Sequence, residues 1–204
     1  MLRFLLHNEK GVMGLVLSQL ALVIAAGILL AAICSLVFFN DWQKTAELQH
    51  IASEFTTIVE GVDTYFVENT TTFFFSKKNY LYTVDLSTEY VIVETFGTFG
   101  NILSLKERLI VRPWPQYTGV SWVGRHGLHD FLLSQFGESG TSTDPISTGD
   151  VDDAQNYLAN AWNENVSLFA SNPYWVDVNV GVFIDKAYVY YEGGEKQTFI
   201  FVYQ

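Results

Sequence analysis

The 28 residues from Val12 to Phe39 (VMGLVLSQLALVIAAGILLAAICSLVFF) carry no charge. As a helix they would reach about 42 Å, against roughly 30 Å of bilayer hydrocarbon. After Phe39 the pattern changes. Leu48, Ile51, Ala52, Phe55, Ile58, Val59 and Val62 recur at helical spacing, with Glu54, Thr57 and Glu60 turned away. No Gly or Pro falls between Ala31 and Glu60. The pattern predicts one helix over 12–64, apolar all round in its first part and amphipathic in its second, where it lies on a folded domain. Asn40-Asp41 offers the alternative of a cap and a fresh helix at the membrane surface.

From about Val67 the chain turns to strand formers. Thr70–Phe75, Tyr80–Leu86, Tyr90–Phe96, Arg108–Val111 and Tyr117–Val123 are rich in β-branched and aromatic residues. Lys77-Lys78-Asn79 predicts a hairpin turn between the first two. In Trp175–Ile184, Val176, Val178, Val180 and Val182 alternate with Asp177, Asn179 and Gly181, which reads as a half-buried strand. Lys186–Tyr191 and Gln197–Tyr203 follow, joined through Glu192-Gly193-Gly194-Glu195, where glycine accepts the positive φ of a tight hairpin. Two helices are predicted between these groups. Leu128–Phe136, bounded by Gly127 and Gly137, carries Leu128, Phe131, Leu132 and Phe136 on one face. Asp152–Asn163 opens behind Asp150, Asp152 and Asp153 and carries Tyr157, Leu158, Ala161 and Trp162. The stretch Gly137–Gly149 is polar and rich in turn residues, so it reads as a mobile exposed loop. The tryptophans all lie beyond Phe39 and read as core or rim packing. The expected fold class is α+β: a long N-terminal helix and a 65–204 head, an antiparallel β-sandwich-like domain with short helices.

Composition sharpens this division. Of 204 residues 49% are hydrophobic and 16% aromatic, with a net charge of −11, which argues against global disorder and against nucleic-acid binding. Residues after Phe39 hold 9 basic and 21 acidic side chains. Arg3 and Lys10 precede the apolar run, so the basic side stays inside and the head faces outward. The run is about twice the length of a secretory signal's apolar region. Cys34 is the single cysteine, which excludes an intramolecular disulfide. In Leu30–Cys34 (LAAIC), Ile33 stands where a lipoprotein site needs a small residue, so Cys34 reads as a membrane-buried thiol. Within the run, Gly14, Ser18, Ala21, Ala25 and Ala32 share one face at 100° per residue, a stripe that lets helices approach closely in lipid. Gln19, the only amide in the run, seeks a partner amide or backbone.

The segment MLRFLLHNEKG, ending in Lys10-Gly11 before Val12-Met13-Gly14, resembles the class III signal peptides of archaeal type IV pilin-like subunits and archaellins. The resemblance covers residues 1 to about 40. It implies a leader over 1–11, cleavage by a prepilin-type peptidase between Gly11 and Val12, and a mature chain with Gly14 in third place, as in archaellins. Three departures stand in the same residues, the first being a leader run, Leu2 to Leu6, more apolar than usual. The usual pair of basic residues is Glu9-Lys10, and the glutamate found fifth in bacterial pilins is Val16.

Motifs for chemistry point elsewhere than to an enzyme. His126 and His129 are three apart beside Asp130, with Gly127 between them and no third ligand at metal-site spacing; surface histidines are the expected reading. Asp144, Asp150, Asp152 and Asp153 lack the order of a calcium loop, and helix capping and solvation account for them. Gly137-Glu138-Ser139-Gly140 is not a nucleophile elbow. No catalytic residue, metal ligand or cofactor is expected. Asn69-Thr70-Thr71 and Asn165-Val166-Ser167 are sequons for N-glycosylation in the outward domain. The sequence is therefore read as a structural subunit of an archaeal pilus or archaellum-related filament. Residues 12–39 would pack against other copies, after membrane insertion as a precursor. The alternative is an uncleaved, single-pass, membrane-anchored binding or adhesion module.

Overall fold

A computed structural model of the chain describes residues 2–116, 119–120 and 122–204, and for residues 2–13 and 15 the backbone without the side chains. The chain divides into two compact units, Met1–Lys44 and Thr45–Gln204. Helix α1, Leu2–Asp63, runs through Asn40 and Asp41 without interruption. The uninterrupted stretch without Gly or Pro accounts for this, since either residue would weaken the ladder there. The helix begins before residue 12 and ends at Asp63.

In the first unit the described apolar side chains are exposed except Val37, which is half-buried, with Leu22 and Leu36 at 71% each. Ser35 Oγ donates to the Ala31 carbonyl (2.8 Å), which satisfies the hydroxyl within the helix itself.

The second unit contains the amphipathic part of α1. Leu48, Ile51, Ala52, Phe55, Val59 and Val62 are buried and Ile58 partly so, while Glu54 and Thr57 are exposed. The compact unit thus takes in Thr45 onward. Phe55 lies 5.4 Å from both Phe73 and Phe75, and those two rings meet edge-on at 4.9 Å. Burying a side chain of this size contributes about 2–3 kcal/mol. The helix ends beneath Lys186, whose ammonium donates to the carbonyls of Asp63 and Tyr65 and lies 3.3 Å from the Asp63 carboxylate. No basic residue occupies the last turn of α1. A lysine from a distant strand supplies the cation that the helix C-terminus favours.

The strands are β1 Asn69–Phe73, β2 Tyr82–Leu86, β3 Tyr90–Phe96, β4 Ile102–Arg108, β5 Trp114–Pro115, β6 Tyr174–Val176, β7 Val182–Tyr190 and β8 Lys196–Tyr203. They form two four-stranded sheets, β1-β7-β8-β5 and β4-β3-β2-β6. All pairings are antiparallel except β5 with β8, which is parallel, so the first sheet is mixed. Helices α2 (Gly124–Phe136) and α3 (Val151–Ser171) lie between β5 and β6 in sequence. Alternation along β7 and β8 builds two cores. Val182, Ile184, Ile200 and Val202 join α1 and the second sheet. Ala187, Val189, Phe199 and Phe201 join Leu128 and Leu132 of α2, Leu158 of α3, and the paired rings of Trp114 and Trp122. The first sheet is thereby covered on both faces.

Several sequence expectations are corrected. β1 and β2 form no hairpin through Lys77–Asn79, because β1 pairs with β7 and the connection crosses to the other sheet. The strand expected at Arg108–Val111 is instead β4, ending at Arg108; Pro113, without an N–H, follows soon after. For Tyr117–Val123, Tyr117, Thr118 and Ser121 lie outside the described residues, and the rest form no strand. Gly124 then opens α2 at φ 66°, where an added Cβ would meet the Tyr203 ring at 2.7 Å. Trp175–Ile184 is not one strand. Asp177 Oδ1 accepts from the Asn179 backbone N–H (3.0 Å), Val180 N–H reaches the Asp177 carbonyl, and this side-chain turn separates β6 from β7. Lys186–Tyr191 belongs almost entirely to β7. The turn at Gly193 and Gly194 is as expected, with φ of 103° and 92°. Helix α3 continues past Asn163 to Ser171 because Asn165 and Phe169 extend its buried face.

Candidate functional site

Among the described residues, the first part of α1 carries a long run of exposed large apolar side chains, from Val16 to Phe39. Among the described residues it belongs to the one helix long and apolar enough to cross a membrane, and none of its most apolar window is buried by the rest of the chain. That is compatible with a membrane anchor; a signal sequence or the core helix of a soluble protein meets the same criteria of length and composition. Gly14, Ser18, Gln19, Ala21, Ala25 and Ala32 are all exposed. An added Cβ at Gly14 would meet nothing within 4 Å. Lys10, Gly11 and Val12 sit on the helical backbone, and their side chains lie outside the described residues. In a bilayer, small residues on one helix face set how closely another helix backbone can approach.

The sequons fare differently. Asn69 opens β1 and is half-buried. Asn165 is fully buried on α3 and its Nδ2 donates to the Pro115 carbonyl (3.5 Å). The folded domain withholds that amide from solvent and leaves no room for a glycan on it.

A polar seam crosses the first sheet. Glu68 Oε1 accepts from the Tyr188 backbone N–H (3.0 Å) and faces His129 Nε2 (3.3 Å), while Arg125 Nη1 stands 3.9 Å from Glu68 Oε2. His129 Nδ1 faces the Ser139 carbonyl at 2.8 Å. His129 is buried, contrary to the surface reading; His126 is exposed. The two histidines therefore serve no common site. On β7, Asp185 is buried toward α2, with Oδ2 accepting from the Arg125 backbone N–H (3.2 Å) and Tyr203 Oη (2.8 Å). Burial, then the bond to Asp185, pushes the Tyr203 phenol above its ordinary value. Lys186 points to the opposite face and α1. Glu68, Asp185 and Lys186 were not singled out from sequence. Two adjacent charges inside the apolar run of β7 were the available signal, because burial of either demands a partner.

The stretch Gly137–Gly149 is not a free loop. Ile146 is fully buried and pairs with Tyr191. Asp144 Oδ2 accepts from the Ser139 N–H (2.7 Å), Glu138 from the Ser147 N–H, and Glu192 from both the N–H (2.8 Å) and hydroxyl (2.7 Å) of Thr148. These amide donors hold the Asp144 and Glu192 carboxyls below the usual range. Asp150 occupies the N-cap position of α3, with no side-chain capping bond. Among the described residues no three His, Cys, Asp or Glu side chains converge as metal ligands. Comparison with protein-family models, curated proteins and solved structures finds no match.

Proposed function

We propose that this chain is a pilin-like structural subunit, assembling with copies of itself or related subunits through residues 12–39. The head then forms the outer surface of an archaeal type IV pilus or archaellum-related filament, as a β-sandwich-like domain. One observation carries the reading: a long apolar helix segment with a small-residue stripe that the chain leaves uncovered. Assembly exchanges lipid contacts for helix contacts. Close packing and the amide of Gln19 supply the attraction that the hydrophobic effect cannot provide between lipid and protein. The resemblance at Lys10-Gly11-Val12 adds the processing step, in which trimming by a prepilin-type peptidase precedes assembly.

Mass spectrometry of the chain from its native membrane tests the reading. A mature N-terminus at Val12, lost when Gly11 is replaced by a bulky residue, supports it. An intact Met1 favours the anchored binding module, and a cut beyond Phe39 removes the assembly helix and overturns the proposal.

A further inference from the structure

The second sheet ends in two open edges, β4 and β6, with no strand beyond either among the described residues. Its pairings are all antiparallel, so β4 runs with β2 and against β6. Leu103 and Leu105 of β4 pack toward the core yet are only partly buried, whereas Val84 of β2 and Val93 of β3 are buried fully. The core is therefore open along β4. On the opposite face of the sheet the two edges differ in charge. Lys106 and Arg108 of β4 are exposed and have no ion-pair partner among the described residues, Lys106 lying over the Tyr90 ring. At the other edge, Asp85 is the cross-strand partner of the exposed Trp175, and Asp177 follows β6 with Oδ1 bonded to Asn179. Lys77 lines the same cleft as Asp177 and offsets one charge, Lys78 is held by Glu47, and Asp85 has no ion-pair partner among the described residues. Burial, then the nearby Glu94, pushes the Asp85 carboxyl above its ordinary value.

We infer that the β4 edge of one copy docks against the β6 edge of the next, with Lys106 and Arg108 turned to Asp85 and Asp177. Since β4 and β6 run in opposite senses, two copies in the same orientation meet there as an antiparallel pair, and the sheet continues from head to head. Opposite charges select this pairing. A β4–β4 pair would crowd the cations of both copies onto one seam. Each copy gives one edge and receives the other, so the contact repeats without closing. The added strand also covers Leu103 and Leu105. The ladder is short, because the Gln204 side chain already takes the Asp177 N–H and carbonyl. The contact is therefore weak alone and gains from anchoring both copies in one membrane. The inference rests on the self-assembly proposed above and adds a contact between heads.

The test uses the full chain in lipid vesicles, mixed from isotope-labelled and unlabelled copies. A carbodiimide joins amines to carboxylates in contact, and mass spectrometry identifies the linked peptides. Lys106 of one copy should join Asp85 or Asp177 of another, and the link should fade with added salt. Lys106→Gln with Arg108→Gln, and Asp85→Asn with Asp177→Asn, should each lose the link when alone. A mixture of these two variants should give linked dimers and no longer ladder, the signature of a contact with two different sides. Melting temperatures of both variants separate loss of contact from unfolding. A disulfide between copies at Ala25→Cys, in a Cys34→Ser background, reports the helix contact independently. The edge contact is overturned if that disulfide forms without the Lys106 link, or if the acid-edge variant alone still links through Lys106. The link without the disulfide supports the edge and counts against residues 12–39. If neither forms, self-assembly and the edge contact fall together.

Discussion

His129 Nε2 lies 3.3 Å from Glu68 Oε1, and the other nitrogen of the same ring lies 2.8 Å from the Ser139 carbonyl oxygen. Both ring nitrogens face acceptors, so one buried side chain ties α2 to the segment leading into β1 and to the loop after α2. Replacing His129 by Leu leaves Glu68 with Tyr188 and Arg125 and leaves the Ser139 carbonyl without its ring partner. The expected cost is about 1–3 kcal/mol in urea unfolding. Because the groups share one network, His129→Leu combined with Glu68→Gln should cost less than the sum of the two. Strict additivity would show that the contact contributes nothing.

Tyr203 and Asp185 give a second test. Tyr203→Phe removes one of the two donors to Asp185 Oδ2 and should cost about 1–2 kcal/mol at neutral pH. The phenol is raised in the fold by burial and then by Asp185, and burial alone pushes Tyr191 up to about 12. The unfolded chain ionises its tyrosines near an ordinary value of about 10. Their contribution is therefore full below that pH and is lost as pH rises through the folded values. Stability measured across the alkaline range should decline above about pH 10, and less steeply in Tyr203→Phe and Tyr191→Phe.

How much of this was legible depends on how far each partner lies along the chain. The buried face of α1 from Leu48 to Val62 was readable because helical periodicity is local, and so was the Gly193-Gly194 turn. The alternation from Val176 to Val182 misled: spacing alone cannot show that the Asp177 side chain will bond the backbone two residues on and turn the chain. β4 was missed because Ile102–Arg108 mixes Lys, Glu and Arg into a strand with no residue fully buried, and β5 because two residues carry no period. His129 looked like a surface residue, since Glu68 is far away in sequence. The apolar run of the candidate assembly surface was legible in full, while the opposed charges beside β4 and β6 were not, because the two strands come to opposite edges of one sheet only in the fold.

The stretch from Glu138 to Glu192 should respond to acid. Asp144 and Glu192 are held low by backbone and hydroxyl donors. Their contribution is present above the unfolded values of about 3.9 and 4.3 and is lost as pH falls through the lower folded ones. Amide hydrogen exchange at Ser139 and Thr148 should speed up relative to the β7–β8 hairpin over that acid range. In Asp144→Asn and Glu192→Gln the respective amide should already exchange faster at neutral pH, with a flatter response to acid. Unchanged exchange at both amides would count against these carboxylates as the loop's anchors.

The stripe on α1 makes the last prediction. Ala25 is exposed and lies outside both cores of the second unit. Ala25→Leu therefore should not move the unfolding temperature of the head. It keeps the segment apolar, so membrane residence should also persist, which separates packing from hydrophobicity. If copies approach through the face of Gly14, Ser18, Ala21, Ala25 and Ala32, the larger side chain holds the backbones apart and removes close van der Waals contact. Self-association in detergent, measured by sedimentation equilibrium, should weaken about fivefold, which corresponds to about 1 kcal/mol. Leu30→Ala, a change of comparable size on the opposite face of the helix, should leave it nearly unaltered. Equal effects from the two would mean that the helix associates without a preferred face, and the stripe would then be only a by-product of an alanine-rich span.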